Sequence, residues 1–190
     1  MIIKRYNRKT IVRGLRYCLR TSKARIAWRN AHLLKISGIK TPGAIAFVEK
    51  RWGPFLLGSY FVCAFNQFPT AAQKYQHQPP NELELSWLVA LLEKMRRARI
   101  YHGNLNAHNL LVTEQDIALI DLDQTQDFSA PIRSKIPGAL RIFIHKHRKD
   151  RRRFLHDWRN KPAQLKCFTD VFERSDKHHT TSAWPHVKKP

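Results

Sequence analysis

Apolar positions along the chain change their spacing several times, and each change marks an element. Between Ser22 and Ile36, Ile26, Leu33 and Leu34 recur at helical spacing, which predicts a helix with one face toward a core. Ser22 is suited to cap its start, and Gly38 closes it. Met1 to Tyr6 reads as a short strand. Phe47-Val48-Glu49 and Tyr60-Phe61-Val62-Cys63-Ala64-Phe65 read as two more, around a turn at Gly53-Pro54. The clearest helix is Glu82 to Arg99, where Leu85, Leu88, Val89, Leu92 and Met95 share a face. Its acidic start and basic end suit the helix dipole. The period then shortens. Leu110 to Val112 and Ile117 to Ile120 are apolar runs split by the polar Thr113-Glu114-Gln115-Asp116, which predicts a hairpin. From about Ile136 onward the pattern is helical again, with Leu140, Ile142, Phe143, Phe154, Leu155 and Trp158 as its apolar positions. The final residues read as a disordered tail, and no internal repeat is present.

The polar residues around that hairpin carry the chemistry. Tyr101 to Asp121 reads Y-H-G-N-L-N-A-H-N-L-L-V-T-E-Q-D-I-A-L-I-D. Phosphoryl transfer from ATP needs a divalent metal on the phosphate oxygens, and Mg²⁺ is held by a few protein oxygens plus waters and phosphates. Asn109 and Asp121 are suitable ligands. In protein kinases a loop H-R-D-x-x-x-x-N carries a base and a metal-binding Asn, and the D-F-G Asp follows on a later strand. His102, Gly103 and Asn104 occupy the first three positions here, Asn109 the loop Asn, and Asp121-Leu122-Asp123 the D-F-G site. The bland alternative is an ordinary hairpin with polar residues at its mouth.

The string from Tyr101 to Val112, followed by I-A-L-I-D-L-D, resembles the lipopolysaccharide core kinases of Gram-negative bacteria, especially the kinase acting on the inner-core sugar Kdo. That family shows H-(A/G)-D-L-N at this place. Ile2-Ile3-Lys4-Arg5-Tyr6-Asn7 resembles its strand with the ATP-binding Lys, and Trp28-Arg29-Asn30 with Leu33, Leu34, Gly38-Ile39 and Thr41-Pro42 its next helix and turn. The resemblance covers roughly residues 1 to 125. It implies an α+β, protein-kinase-like bilobal fold: a shortened N-terminal lobe over 1–66, a mainly helical C-terminal lobe over 67–177, and a basic tail over 178–190. It also implies ATP and Mg²⁺ as cofactors, with Lys4 on the ATP phosphates, Asn109 and Asp121 on the metal, and Asn104 at the catalytic position.

Three parts depart from the family's pattern. Asn104 replaces the catalytic Asp, and an amide can orient a hydroxyl but cannot act as a base. General-base help is worth roughly 10² to 10⁴ in rate, so its loss slows transfer without abolishing it. The acid that should pair with the Lys lies just before the helix Trp, where this chain has Ala27, and no acidic residue occurs before Glu49. Lys4 is therefore expected to lack a partner in its own lobe. Only three residues precede Lys4, too few for the glycine-rich turn that precedes the Lys strand in kinases, which implies either a shortened descendant or a start further upstream. Asp123 reads as a strand-end cap, His102 as a packed scaffold residue and His108 as solvent-facing. Trp28, Trp52, Trp87 and Trp158 read as packing residues.

Charge widens the choice of partners. The formal net charge is +21, from 35 Lys and Arg against 14 Asp and Glu. One basic block runs from His145 to Arg153. Such a field attracts polyanions, and each basic residue near an anionic leaflet contributes about 1 kcal/mol. A lipid-linked core oligosaccharide at an anionic membrane surface is the partner that the resemblance implies. No apolar run is long enough to span a bilayer, and Met1-Ile2-Ile3-Lys4 has no signal-peptide pattern. Cys18, Cys63 and Cys167 have no metal-like spacing, which favours a reducing cytoplasm. Together with that resemblance, it implies placement at the cytoplasmic side of the inner membrane. Tail histidines 178, 179 and 186 have no Cys or carboxylate cluster at ligand spacing. Three readings result: a sugar kinase, a pseudokinase that binds nucleotide or a partner, and a basic nucleic-acid-binding protein, the last unsupported by any recognised motif.

Overall fold

The computed structural model describes residues 1–6 and 21–180, and Cys18 and residues 181–190 of the expected tail lie outside them. Strands β1 (Ile2–Tyr6), β2 (Ala44–Trp52) and β3 (Phe55–Cys63) form an antiparallel sheet in the order β1-β3-β2. Lys4 stands opposite Phe61, and Phe61 opposite Phe47, so all three project from one face. That face meets helix α1 (Lys23–Ile36), whose Trp28 lies 5.4 Å from Phe47 between ring centres. Ser22 caps α1 by accepting the Arg25 N–H at 3.1 Å. The buried side of α1 is built from Ala24, Ala27, Ala31 and Leu34, and three alanines in it allow a close approach.

A short helix α2 (Ala71–Lys74) leads into α3 (Glu82–Arg97). Asn81 and Glu84 close a reciprocal capping box on α3: each side chain accepts the other's backbone N–H, at 2.9 and 3.0 Å. The following strands are short: β4 (Ile100–Tyr101), the hairpin β5 (Leu110–Val112) with β6 (Ile117–Leu119), and β7 (Gln126–Asp127), which pairs with β4. Helices α4 (Ser129–Arg133), α5 (Ala139–His156) and α6 (Pro162–Thr180) complete the larger lobe. Its core joins Leu88, Leu91 and Met95 of α3 to Phe154, Trp158, Phe168 and Val171. The Phe168 ring is central, 5.0 Å from Phe154 and 4.9 Å from Trp158. A small sheet lobe with one helix thus sits beside a mainly helical lobe, the two-lobed α+β fold expected.

Several boundaries move, each for a local reason. β3 ends at Cys63 instead of Phe65: the Ala64 N–H bonds Gly43 O at 2.8 Å, and Phe65 turns out, 60% exposed. α3 stops at Arg97 because Arg99 takes a left-handed φ of 56°. Ile142 is 48% exposed, since α5 buries positions 139, 143, 150 and 154 and residue 142 falls off that face. The single helical stretch expected after Ile136 is two helices, the second starting at Pro162, whose missing N–H suits a first helical turn. α6 runs to Thr180, so the expected tail boundary at 178 falls inside its last turn. Among the described residues no helix is long and apolar enough to cross a membrane.

Candidate functional site

The β5–β6 hairpin decides where the polar residues meet. Leu110 pairs with Leu119, and just beyond them the Ile120 N–H bonds Asn109 O at 3.0 Å. Asn109 and Asp121 are thereby brought to the open end of the hairpin. Asn106 fixes the turn before β5 by accepting the N–H groups of His108 and Asn109, both at 3.0 Å. His108 itself is exposed, as expected.

His102 ties this turn to the segment after β6. Its ring is fully buried, Nε2 lies 2.9 Å from Ile120 O, and Nδ1 accepts the Asn104 N–H at 3.3 Å. A carbonyl only accepts, so the proton sits on Nε2 and the ring is neutral. Burial holds its pKa below the ordinary histidine value despite the raising influence of these bonds and of Asp121 and Asp123. Between that depressed value and about 6.5 in the unfolded chain, the unfolded state binds a proton that the folded state does not. Stability therefore rises with pH in this window and is lost as pH falls through it. We expect His102→Gln to flatten that part of the stability–pH profile in urea titrations between about pH 5 and 7.5. An equally steep profile in the variant would contradict the assignment.

Asp121 is the hub. Its backbone is left-handed, at φ 63°, which turns the carboxylate back toward the loop. Lys4 reaches across from the small lobe to bond Oδ1, and the Asn104 Nδ2 donates to Oδ2 at 3.4 Å. Burial pushes the Asp121 carboxyl up, but Lys4, with help from Asp123 and Asn104, holds it below the usual carboxylate range. Asn109 donates from Nδ2 to Asn104 O at 2.9 Å, and its Oδ1 has no partner among the described residues. All four residues singled out in the sequence, Lys4, Asn104, Asn109 and Asp121, come together here. An amide oxygen and a carboxylate carried at one end of the hairpin are ligand types that suit Mg²⁺, which takes few protein oxygens and completes its shell with water and phosphate. No cluster of three or more His, Cys, Asp or Glu able to hold a metal occurs among the described residues.

Lys4 does have an acidic partner, but from the other lobe. Ala27 is fully buried and offers Lys4 nothing. One turn before it, Lys23 pairs with Asp123 at 2.8 Å. Asn30, 1% exposed, donates to Leu122 O and Thr125 O at 2.8 and 2.9 Å. Helix α1 is thus pinned to the D-L-D turn by its own residues 23 and 30. Asp123, read as a strand-end cap, is instead an ion-pair partner.

The loop rests on α5, a contribution the sequence reading missed. Asp150 is 1% exposed and accepts the N–H groups of Gly103 at 3.0 Å and Leu105 at 3.4 Å. Asp157, just past α5, accepts the Ala107 N–H at 2.8 Å, and Arg153 donates to Gly103 O. Burial raises the Asp150 pKa even though these N–H groups and Arg153 pull it down. Gly103 has φ 89°, and a Cβ there would stand 2.5 Å from Gln124 O, so only glycine fits. A signal for Asp150 was present: it shares the apolar face of α5 with Phe143 and Phe154, where a lone carboxylate needs donors.

No curated protein sequence matches the chain significantly. A solved structure described as "WaaP in complex with acyl carrier protein" is similar at 21% identity and a TM-score of 0.42, covering 82% of this chain and 76% of that one. The family model for the lipopolysaccharide kinase (Kdo/WaaP) family matches residues 3–136, well over half of the sequence and all four converging residues. The chain belongs to the lipopolysaccharide kinase (Kdo/WaaP) family.

Proposed function

We propose that this protein transfers the γ-phosphoryl group of ATP to a sugar hydroxyl of the lipopolysaccharide inner core, on Kdo or heptose. The observation that carries this reading is the convergence on Asp121: Lys4 on one oxygen, Asn104 on the other, and Asn109 anchored to the Asn104 carbonyl. Asp121 and Asn109 would hold Mg²⁺, and Lys4, released from Asp121, would face the ATP phosphates. Bound there, Mg²⁺ would neutralise charge developing on the transferred group. Asn104 orients the acceptor hydroxyl through its amide without taking the proton, which passes to a phosphate oxygen or to solvent as the bond to the sugar oxygen forms and the bond to ADP breaks. The loose transition state leaves most of the catalysis to positioning and electrostatics, which these residues supply. The net charge of +21 holds the protein at the cytoplasmic face of the inner membrane, where a lipid-linked acceptor resides.

The test is transfer of labelled phosphate from ATP to core lipopolysaccharide by the purified chain. Mg²⁺-dependent transfer is expected, and Asp121→Ala should reduce it to background while leaving a folded protein by circular dichroism. No transfer by the wild-type chain would sink the reading. One observation favours a second reading: an amide stands at the base position, and Lys4 is engaged by the metal-site carboxylate. A pseudokinase would bind nucleotide or a partner through the same cleft without chemistry.

A further inference from the structure

The outer face of α5 carries a basic cavity that the reaction described so far does not use. Lys149, Arg152, Arg153 and His156 recur at i, i+3, i+4 and i+7, which places them on one side of the helix. With Asn104 and Asp157 they line a cavity of about 380 Å³ beside the loop. This face lies beyond residues 3–136, the part that matches the family model.

The wall residues divide by what already engages them. Arg153 is tied to Gly103 O and lies 3.7 Å from Asp150. The Asp157 carboxylate accepts the Ala107 N–H, and His156 contacts Arg159 at 2.9 Å. Lys149 and Arg152 are exposed; Lys149 acts electrostatically on the buried Asp150, and Arg152 makes no hydrogen bond or ion pair with any described residue. Three cations thus stand beside two carboxylates, Asp150 and Asp157, both already engaged by backbone N–H groups, in a concavity that Asn104 also lines. Like charges held together on one helix face repel one another, and an oxyanion placed among them relieves that repulsion. Arg in particular presents a fork of donors matched to carboxylate and phosphate.

We infer that this cavity is an oxyanion subsite for the acceptor: Lys149 and Arg152 hold a carboxylate or phosphate of an acidic sugar while a hydroxyl of the same molecule lies at Asn104. The inference rests on the proposed kinase reading for the identity of the acceptor. It adds where an acidic group of that acceptor is held, on Lys149 and Arg152 beside Asn104.

The experiment measures binding of lipid-free, Kdo-containing core oligosaccharide to the full chain by calorimetry at low and high salt. Lys149→Ala/Arg152→Ala should weaken binding at least about tenfold and flatten its salt dependence. The charge-matched pair Lys35→Ala/Lys166→Ala, exposed and away from the cavity, should change little. Methyl-esterifying the carboxyls and removing the phosphates, in separate preparations, tells which oxyanion is read. Equal binding by the Lys149/Arg152 variant, or no binding by the wild type, overturns the subsite. Where transfer is measurable, the variant should raise KM for acceptor at unchanged kcat. Binding that the variant loses, in a wild type that transfers no phosphate, keeps the subsite and sinks the kinase reading instead.

Discussion

Replacing Asn104 by Asp is expected to raise Mg²⁺-dependent phosphate transfer by roughly 10² to 10⁴, the usual contribution of a positioned general base. The rest of the site is assembled around that position. His102 holds the backbone of residue 104, Asn106 contacts its Oδ1 at 3.4 Å, and Asn109 bonds its carbonyl. The substitution has a second consequence that separates it from a simple repair. The Asn104 Nδ2 now donates to Asp121 Oδ2 at 3.4 Å, and a carboxylate in its place would confront another carboxylate. Like charges at that range raise one pKa or open the site. Without metal the variant should therefore melt at a lower temperature than the wild type, and Mg²⁺ with ATP should restore more stability to it than to the wild type. Measuring rate and melting temperature together distinguishes the readings. A gain of activity shows that only the base was missing, whereas unchanged activity at full occupancy by ATP favours the pseudokinase.

Asp150→Ala carries the largest expected loss. It removes the acceptor for two buried N–H groups, Gly103 and Leu105, and the acid near Arg153. Each unsatisfied buried donor costs about 1–3 kcal/mol, so urea titration should show a loss of about 3 kcal/mol or more. The raised pKa of Asp150 shows that burial outweighs what its donors return, so the carboxylate is not a large net gain over an apolar design. Removing it alone is still costly, because its donors stay behind. Asp150→Asn should recover little. Its amide offers one acceptor and turns an N–H toward the second donor. Transfer activity should fall with the loop's positioning even at temperatures where the variant is folded. A loss below about 1 kcal/mol, within the range of a single net hydrogen bond, would mean the loop holds its own shape.

These two predictions differ in how far each was readable from the chain. Asn104 stood out because it sits inside a motif of fixed local spacing, in which each letter has a role independent of the rest. The helix Glu82–Arg97 and the hairpin at residues 110–119 were legible for the same reason: apolar periodicity and capping residues act over a few neighbours. Ala27 was likewise visible as a missing acid. Its replacement was not, because Lys23 and Asn30 meet the D-L-D turn over separations of about a hundred residues.

Local pattern determined the main helices and strands, the loop from Tyr101 to Asp121 and, within it, Asn104, Asn109 and Asp121, while Lys4 came from the family resemblance. Tertiary structure alone decided who partners whom. It gave Lys4 to Asp121 across the cleft, set Asp150 and Asp157 beneath the loop, and turned a run of basic residues into one wall of a cavity beside Asn104. The physical reason is range. Helix and strand periodicity is written in adjacent residues, whereas a buried charge or N–H takes whatever partner the packing of distant elements brings within about 3 Å.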